Sequence, residues 1–181
     1  MMILDDRYKI IKPKFDEGKI RHFSDILKIV PKTRLATDIG KSGERMNKVI
    51  ARIDTIKVDE LAAIGRRCGL NLTEMLSIVE PDCVMHRPKI KDDRFDNINV
   101  LFRAGEIGSF EDIFRYIPKS AIAAHLKMKS DRLGRLIFKV EKFELKDVLF
   151  IGGLCWFSKS ETLRLLAKSY EGQHTRIKQK F

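Results

Sequence analysis

The segment from Lys32 to Arg52, KTRLATDIGKSGERMNKVIAR, gathers side chains suited to recognition chemistry. Read as two helices meeting at Gly40, it places apolar Leu35 and Ile39 on one inner face and Met46, Val49 and Ile50 on the facing one. Ala36 is small enough for a close helix crossing, and Gly40 tolerates the positive φ of a tight turn. The outer face of the second helix then carries Glu44, Arg45, Lys48 and Arg52, with Asn47 beside them. Lys can donate to guanine, Asn can pair with adenine through two hydrogen bonds, and Glu can accept from cytosine.

The remaining reactive residue types do not assemble into a catalytic pattern. Cys83 and His86 stand three apart, but no second pair at matching spacing completes the four ligands of a structural zinc site. Cys68 and Cys155 fall on inner positions and are expected in the core. His22, His125 and His174 lack the Ser, Cys or Asp partners of a triad, and the sequence has no glycine-rich phosphate loop. The expectation is a protein with no catalytic residues, no metal and no cofactor.

The formal net charge of +11 and a pI near 9.7 favour an acidic partner such as nucleic acid. The charge is spread thinly, without a polybasic block; a merely basic globular protein has the same composition. Three scattered cysteines and an N-terminus that turns acidic at Asp5-Asp6 predict a reduced, cytoplasmic protein without a signal peptide. The longest apolar run, Val148 to Phe157, is about half of a ~20-residue membrane span, so a buried core helix is expected and no membrane partner.

The elements that must position these residues occur twice. A shift of 87 residues carries Asp5-Asp6-Arg7-Tyr8 onto Asp92-Asp93-Arg94-Phe95, Phe23-Ser24-Asp25-Ile26 onto Phe110-Glu111-Asp112-Ile113, and Pro31-Lys32 onto Pro118-Lys119. Ala36, Ile64, Gly65 and Cys68 meet Ala123, Ile151, Gly152 and Cys155. Apolar residues recur at three and four, so the chain reads as all-α: two tandem helix-turn-helix domains of five to six helices each. The divisions are 1–80 for repeat one, 81–91 for a linker broken by Pro81 and Pro88, 92–170 for repeat two and 171–181 for a basic C-terminal tail. Within each repeat, helices are expected at 4–17, 22–30, 32–39, 43–52, 57–68 and 72–79, and at 91–104, 109–117, 119–126, 130–139, 144–155 and 159–170. Pro13 should kink or shorten the first, Gly18 and Gly105 should end the first pair, and Ser42 should cap the fourth.

Leu35-Ala36, Gly40, Ser42, Met46 and Val49, followed by Val58-Asp59-Glu60-Leu61 and Leu70-Asn71-Leu72, resemble the lambda-repressor-like helix-turn-helix family over about residues 22–79. The resemblance implies a five-helix domain whose third helix enters the major groove of double-stranded DNA. It places base-reading positions on Ser42, Gly43, Glu44, Asn47 and Lys48, and phosphate-clamping positions on Lys32 and Thr33, with Arg45 and Arg52 on the same outer face. Repeat two sets Lys119 and Ser120 at the clamp positions and Lys129, Ser130, Asp131, Arg132, Arg135 and Lys139 on the outer face.

There are departures from the family. Lys41 stands at a usually apolar position, Gly43 offers no side chain, Lys127 replaces the turn glycine of repeat two, and Gly134 falls inside its recognition helix. Two readings of repeat two follow: a backbone contact without base reading, or a support for repeat one. For the whole chain the expected function is binding of double-stranded DNA as a transcriptional regulator. The rival is a protein-interaction module that keeps the fold without reading DNA. Oligomeric state is left open.

Overall fold

The computed structural model describes residues 6–90 and 92–178, with side chains through Thr175. Helix makes up 72% of it, and no strand occurs among the described residues. The chain divides into two compact units, Met1–Cys83 and Val84–Phe181.

The first unit begins with α1 (Asp6–Lys9) and α2 (Ile11–Asp16) where one helix was expected. The break at Ile10 puts Pro13 in the first turn of α2, where the missing N–H needs no partner. Then follow α3 (Phe23–Ile29), α4 (Lys32–Asp38), α5 (Gly43–Ala51), a 3-10 turn at Ile53–Thr55, α6 (Val58–Cys68), α7 (Leu72–Val79) and a 3-10 turn at Glu80–Asp82. Residues assigned to the linker belong here: Asp82 accepts from His22 Nδ1 at 2.7 Å, when that nitrogen carries the proton, and Cys83 is buried.

The second unit holds α8 (Asp93–Arg103), a 3-10 turn at Phe110–Asp112, α9 (Ile113–Tyr116), α10 (Lys119–His125) and α11 (Ser130–Phe138). A 3-10 turn at Val140–Lys142, α12 (Leu145–Leu154) and α13 (Lys159–Lys178) complete it. Of the apolar run expected as a core helix, residues 148–154 lie in α12, with Val148, Leu149, Ile151 and Leu154 buried, while residues 155–157 lie beyond its end and Trp156 is 44% exposed. No described helix is long and apolar enough to cross a membrane. The residues read as a basic tail continue α13 to Lys178. Gln173 fixes that extension, donating to Ile137 O at 3.1 Å and accepting from the Val140 N–H at 3.2 Å. Residues 179–181 of the expected tail lie outside the described residues.

Each core is lined by the apolar stripes of its helices, and buried positions correspond at the 87-residue shift. Tyr8, Phe23, Ile26, Leu35, Ala36, Met46, Leu61, Ile64, Cys68 and Leu76 are buried. So are Phe95, Phe110, Ile113, Ile122, Ala123, Leu133, Val148, Ile151, Cys155 and Leu163. Burial alone pushes the Cys68 and Cys155 thiols up to about 12, so both behave as apolar packing groups. Two expected inner positions differ. Ile50 is 39% exposed, whereas Val49 beside it is buried as expected, and Ile39 is half-buried at the end of α4, as is Leu126, 87 residues on, at the end of α10.

Positive φ angles follow the same shift. They fall at Gly18 and Gly105, Gly40 and Lys127, and Gly69 and Trp156. Gly65 and Gly152 also correspond, and for both the reason is close approach: an added Cβ would lie 2.7 Å from Leu70 O in one and 2.0 Å from Thr162 Oγ1 in the other. Met75 of α7 lies 2.8 Å from the same point at Gly65, and Thr162 belongs to α13, so the two glycines let α7 and α13 approach α6 and α12 closely.

Candidate nucleic-acid interface

The α4–α5 turn depends on one left-handed residue. The Gly40 N–H donates to Thr37 O at 3.0 Å and the Lys41 N–H to Ala36 O at 2.8 Å, a Schellman closure with Gly40 at φ +67°. Ser42 then caps α5, its Oγ accepting from the Arg45 N–H at 3.1 Å. Unit two makes the same closure without glycine. The Lys127 N–H donates to Ala124 O at 3.2 Å and the Met128 N–H to Ala123 O at 3.0 Å, with Lys127 at φ +52°. A non-glycine residue there costs about 1 kcal/mol, but the turn survives. Gly134 likewise leaves α11 continuous from Ser130 to Phe138.

Packing of Met46 and Val49 against the core turns Ser42, Gly43, Glu44, Asn47, Lys48 and Ala51 outward, and all are exposed. Lys32 and Thr33 open α4 and are exposed on its outer side. Lys32 Nζ donates to Asn47 Oδ1 at 2.9 Å, so the structure brings an expected clamp residue and an expected base reader together.

Arg45 is a correction. Expected on the outer face, it is only 19% exposed and turns toward α6. Its Nε donates to Glu60 Oε1 at 3.0 Å, one terminal nitrogen donates to Glu60 Oε2 at 2.6 Å, and the same nitrogen donates to Thr55 O at 2.8 Å. The Lys57 N–H also donates to Glu60 Oε2, at 3.0 Å, and Lys41 Nζ stands 3.5 Å from Oε1. Burial by itself raises the Glu60 carboxyl. Arg45, the Lys57 N–H and Lys41 outweigh it and hold the group below its ordinary 4.5. Arg45 therefore ties α5 to α6, and Lys41, at a position usually apolar, joins the same ion cluster.

Arg52 is exposed, but its guanidinium pairs with Asp54 at 3.1 Å. Arg67 donates to Asp38 O at 2.9 Å, satisfying a carbonyl at the end of α4, while Arg66 is exposed. The outward face of α5 is thus polar and nearly neutral, with Glu44 offsetting Lys48.

Unit two presents a different balance. Ser120, Lys129, Ser130, Asp131, Arg132, Arg135 and Lys139 are exposed on α10, α11 and their flanks, and Lys119 is half-buried. Lys127, Lys129, Arg135 and Lys139 have no carboxylate partner among the described residues. Phe138, which the sequence reading did not single out, is 76% exposed at the end of α11, and Lys119 Nζ lies over its ring at 5.3 Å. Among the described residues no cluster of His, Cys, Asp and Glu could hold a metal ion. No family model, curated protein or solved structure matches the chain.

Proposed function

We propose that this chain binds double-stranded DNA as a transcriptional regulator, through two tandem helix-turn-helix repeats of the lambda-repressor-like kind. The observation that carries the reading is the pair of matched hairpins. Each closes on a left-handed residue at the same register, and each turns an uncovered polar helix face outward. In unit one, α5 is the reading helix: Asn47 offers the donor and acceptor that adenine requires, and Lys48 a donor for guanine. Lys32 steadies Asn47 and adds positive charge near the backbone. In unit two, Lys127, Lys129, Arg135 and Lys139, which have no carboxylate partner among the described residues, supply salt-dependent phosphate affinity. The division of labour is base discrimination by unit one and backbone affinity by unit two.

A second reading, a protein-interaction module, is favoured by one observation: α5 spends Arg45 and Arg52 on carboxylates and leaves Ile50 39% exposed. Selection of bound fragments from random duplex DNA with the full chain separates the two. Recovery of a shared short sequence supports the DNA reading. Recovery of no duplex at all favours the protein-interaction module.

A further inference from the structure

The two hairpins use the same lysine differently. In unit one, Lys32 Nζ donates to Asn47. The position corresponding to Asn47 in unit two is Gly134, and Lys119 there lies over Phe138, one turn further along α11. Single exposed apolar residues are ordinary on protein surfaces. What distinguishes Phe138 is its setting. Gly134, one turn before it, leaves open space where a side chain would stand. Arg135 shares its face, and Arg135 and Lys139 have no carboxylate partner among the described residues.

An aromatic ring beside unspent cations suits a nucleic-acid segment whose bases are unpaired, because any base can stack on a ring face while lysine and arginine track the phosphates. We infer that the α10–α11 face of unit two binds single-stranded nucleic acid, stacking an unpaired base on Phe138 in the notch left by Gly134. Lys119, Arg135 and Lys139 hold the flanking phosphates. The inference rests on the reading that the hairpin faces meet nucleic acid, and it adds a substrate class to unit two.

The test is fluorescence anisotropy of the full chain with a labelled oligothymidylate and, separately, a random-sequence duplex. Phe138 is exposed, so Phe138→Ala should fold, which circular dichroism checks. The variant should lose about tenfold or more in single-strand affinity, keep its duplex affinity, and recover with Phe138→Trp. Gly134→Asn, which fills the notch and gives Lys119 the partner that Lys32 has, should weaken single-strand binding as well. If the wild type binds duplex but not the single strand, or if Phe138→Ala binds the single strand normally, the inference is overturned while the duplex reading stands. Binding of neither probe overturns both. A wild type that sediments as a dimer, with Phe138→Ala monomeric, assigns the ring to self-association and overturns the inference.

Discussion

Arg45 and Glu60 face each other fork to fork, fifteen residues apart in sequence, with nitrogen–oxygen distances of 3.0 and 2.6 Å. Glu60 is 4% exposed in its side chain. The pair ties α5, which carries Asn47 and Lys48 on its outward face, to α6, which follows it in the chain.

Removing one partner leaves the other charged and largely buried. Glu60→Ala should therefore destabilise the protein by about 3 kcal/mol, read from chemical denaturation. The pH dependence has a definite sign. The Glu60 carboxyl in the folded protein lies below its ordinary 4.5, so its contribution is fully present above that value and falls away as acid protonates it. The stability difference between wild type and Glu60→Gln should shrink below about pH 4.5 and stay flat near neutrality. A difference that grows on acidification would contradict the assignment.

Lys127 holds the turn that Gly40 holds in unit one. Relief of its left-handed strain by Lys127→Gly should stabilise unit two by about 1 kcal/mol, and Gly40→Lys should cost unit one a similar amount. Thermal unfolding measures both, as midpoint shifts of about 4–8 °C for a unit of this size. Equal midpoints in wild type and Lys127→Gly would show that the turn is not strained.

Ala36 is buried at the crossing of α4 and α5. Ala36→Glu drives a carboxylate into that contact without a partner and should unfold unit one. Loss of its helical circular dichroism checks this; a normal melting curve would mean that the crossing tolerates a charge.

Much of this architecture is legible in the sequence because burial follows periodicity. Twenty buried positions named above, from Tyr8/Phe95 to Leu76/Leu163, form ten pairs at the 87-residue shift, and the left-handed residues repeat with them. What escapes is contact across elements. Arg45 stands on the flank of α5, and only the 3-10 turn at Ile53–Thr55 brings Glu60 within its reach. Ile50 and Val49 are neighbours at the boundary of the inner face, where a small rotation of α5 decides which is buried. Gln173 reads as part of a polar tail, and only its bonds to Ile137 and Val140 reveal a packed helix. Phe138 did leave a signal: Leu133 and Ile137, four apart, define the inner stripe of α11 and put residue 138 outside it.

Base reading and backbone affinity should separate by mutation. Lys48→Ala should relax preference for the selected duplex over scrambled DNA by about 1–3 kcal/mol. Arg135→Ala should weaken both probes alike. The reverse pattern would assign the reading helix to unit two.

The central claim, that these hairpin faces meet duplex DNA, is tested most directly by the salt dependence of affinity for the selected duplex. Each phosphate neutralised releases counterions, so log affinity should fall linearly with log salt, with a slope of about −0.9 per contact. Arg135→Ala should reduce the steepness by about one contact. An affinity unchanged between about 50 and 200 mM salt, or a slope identical in wild type and Arg135→Ala, would contradict the account.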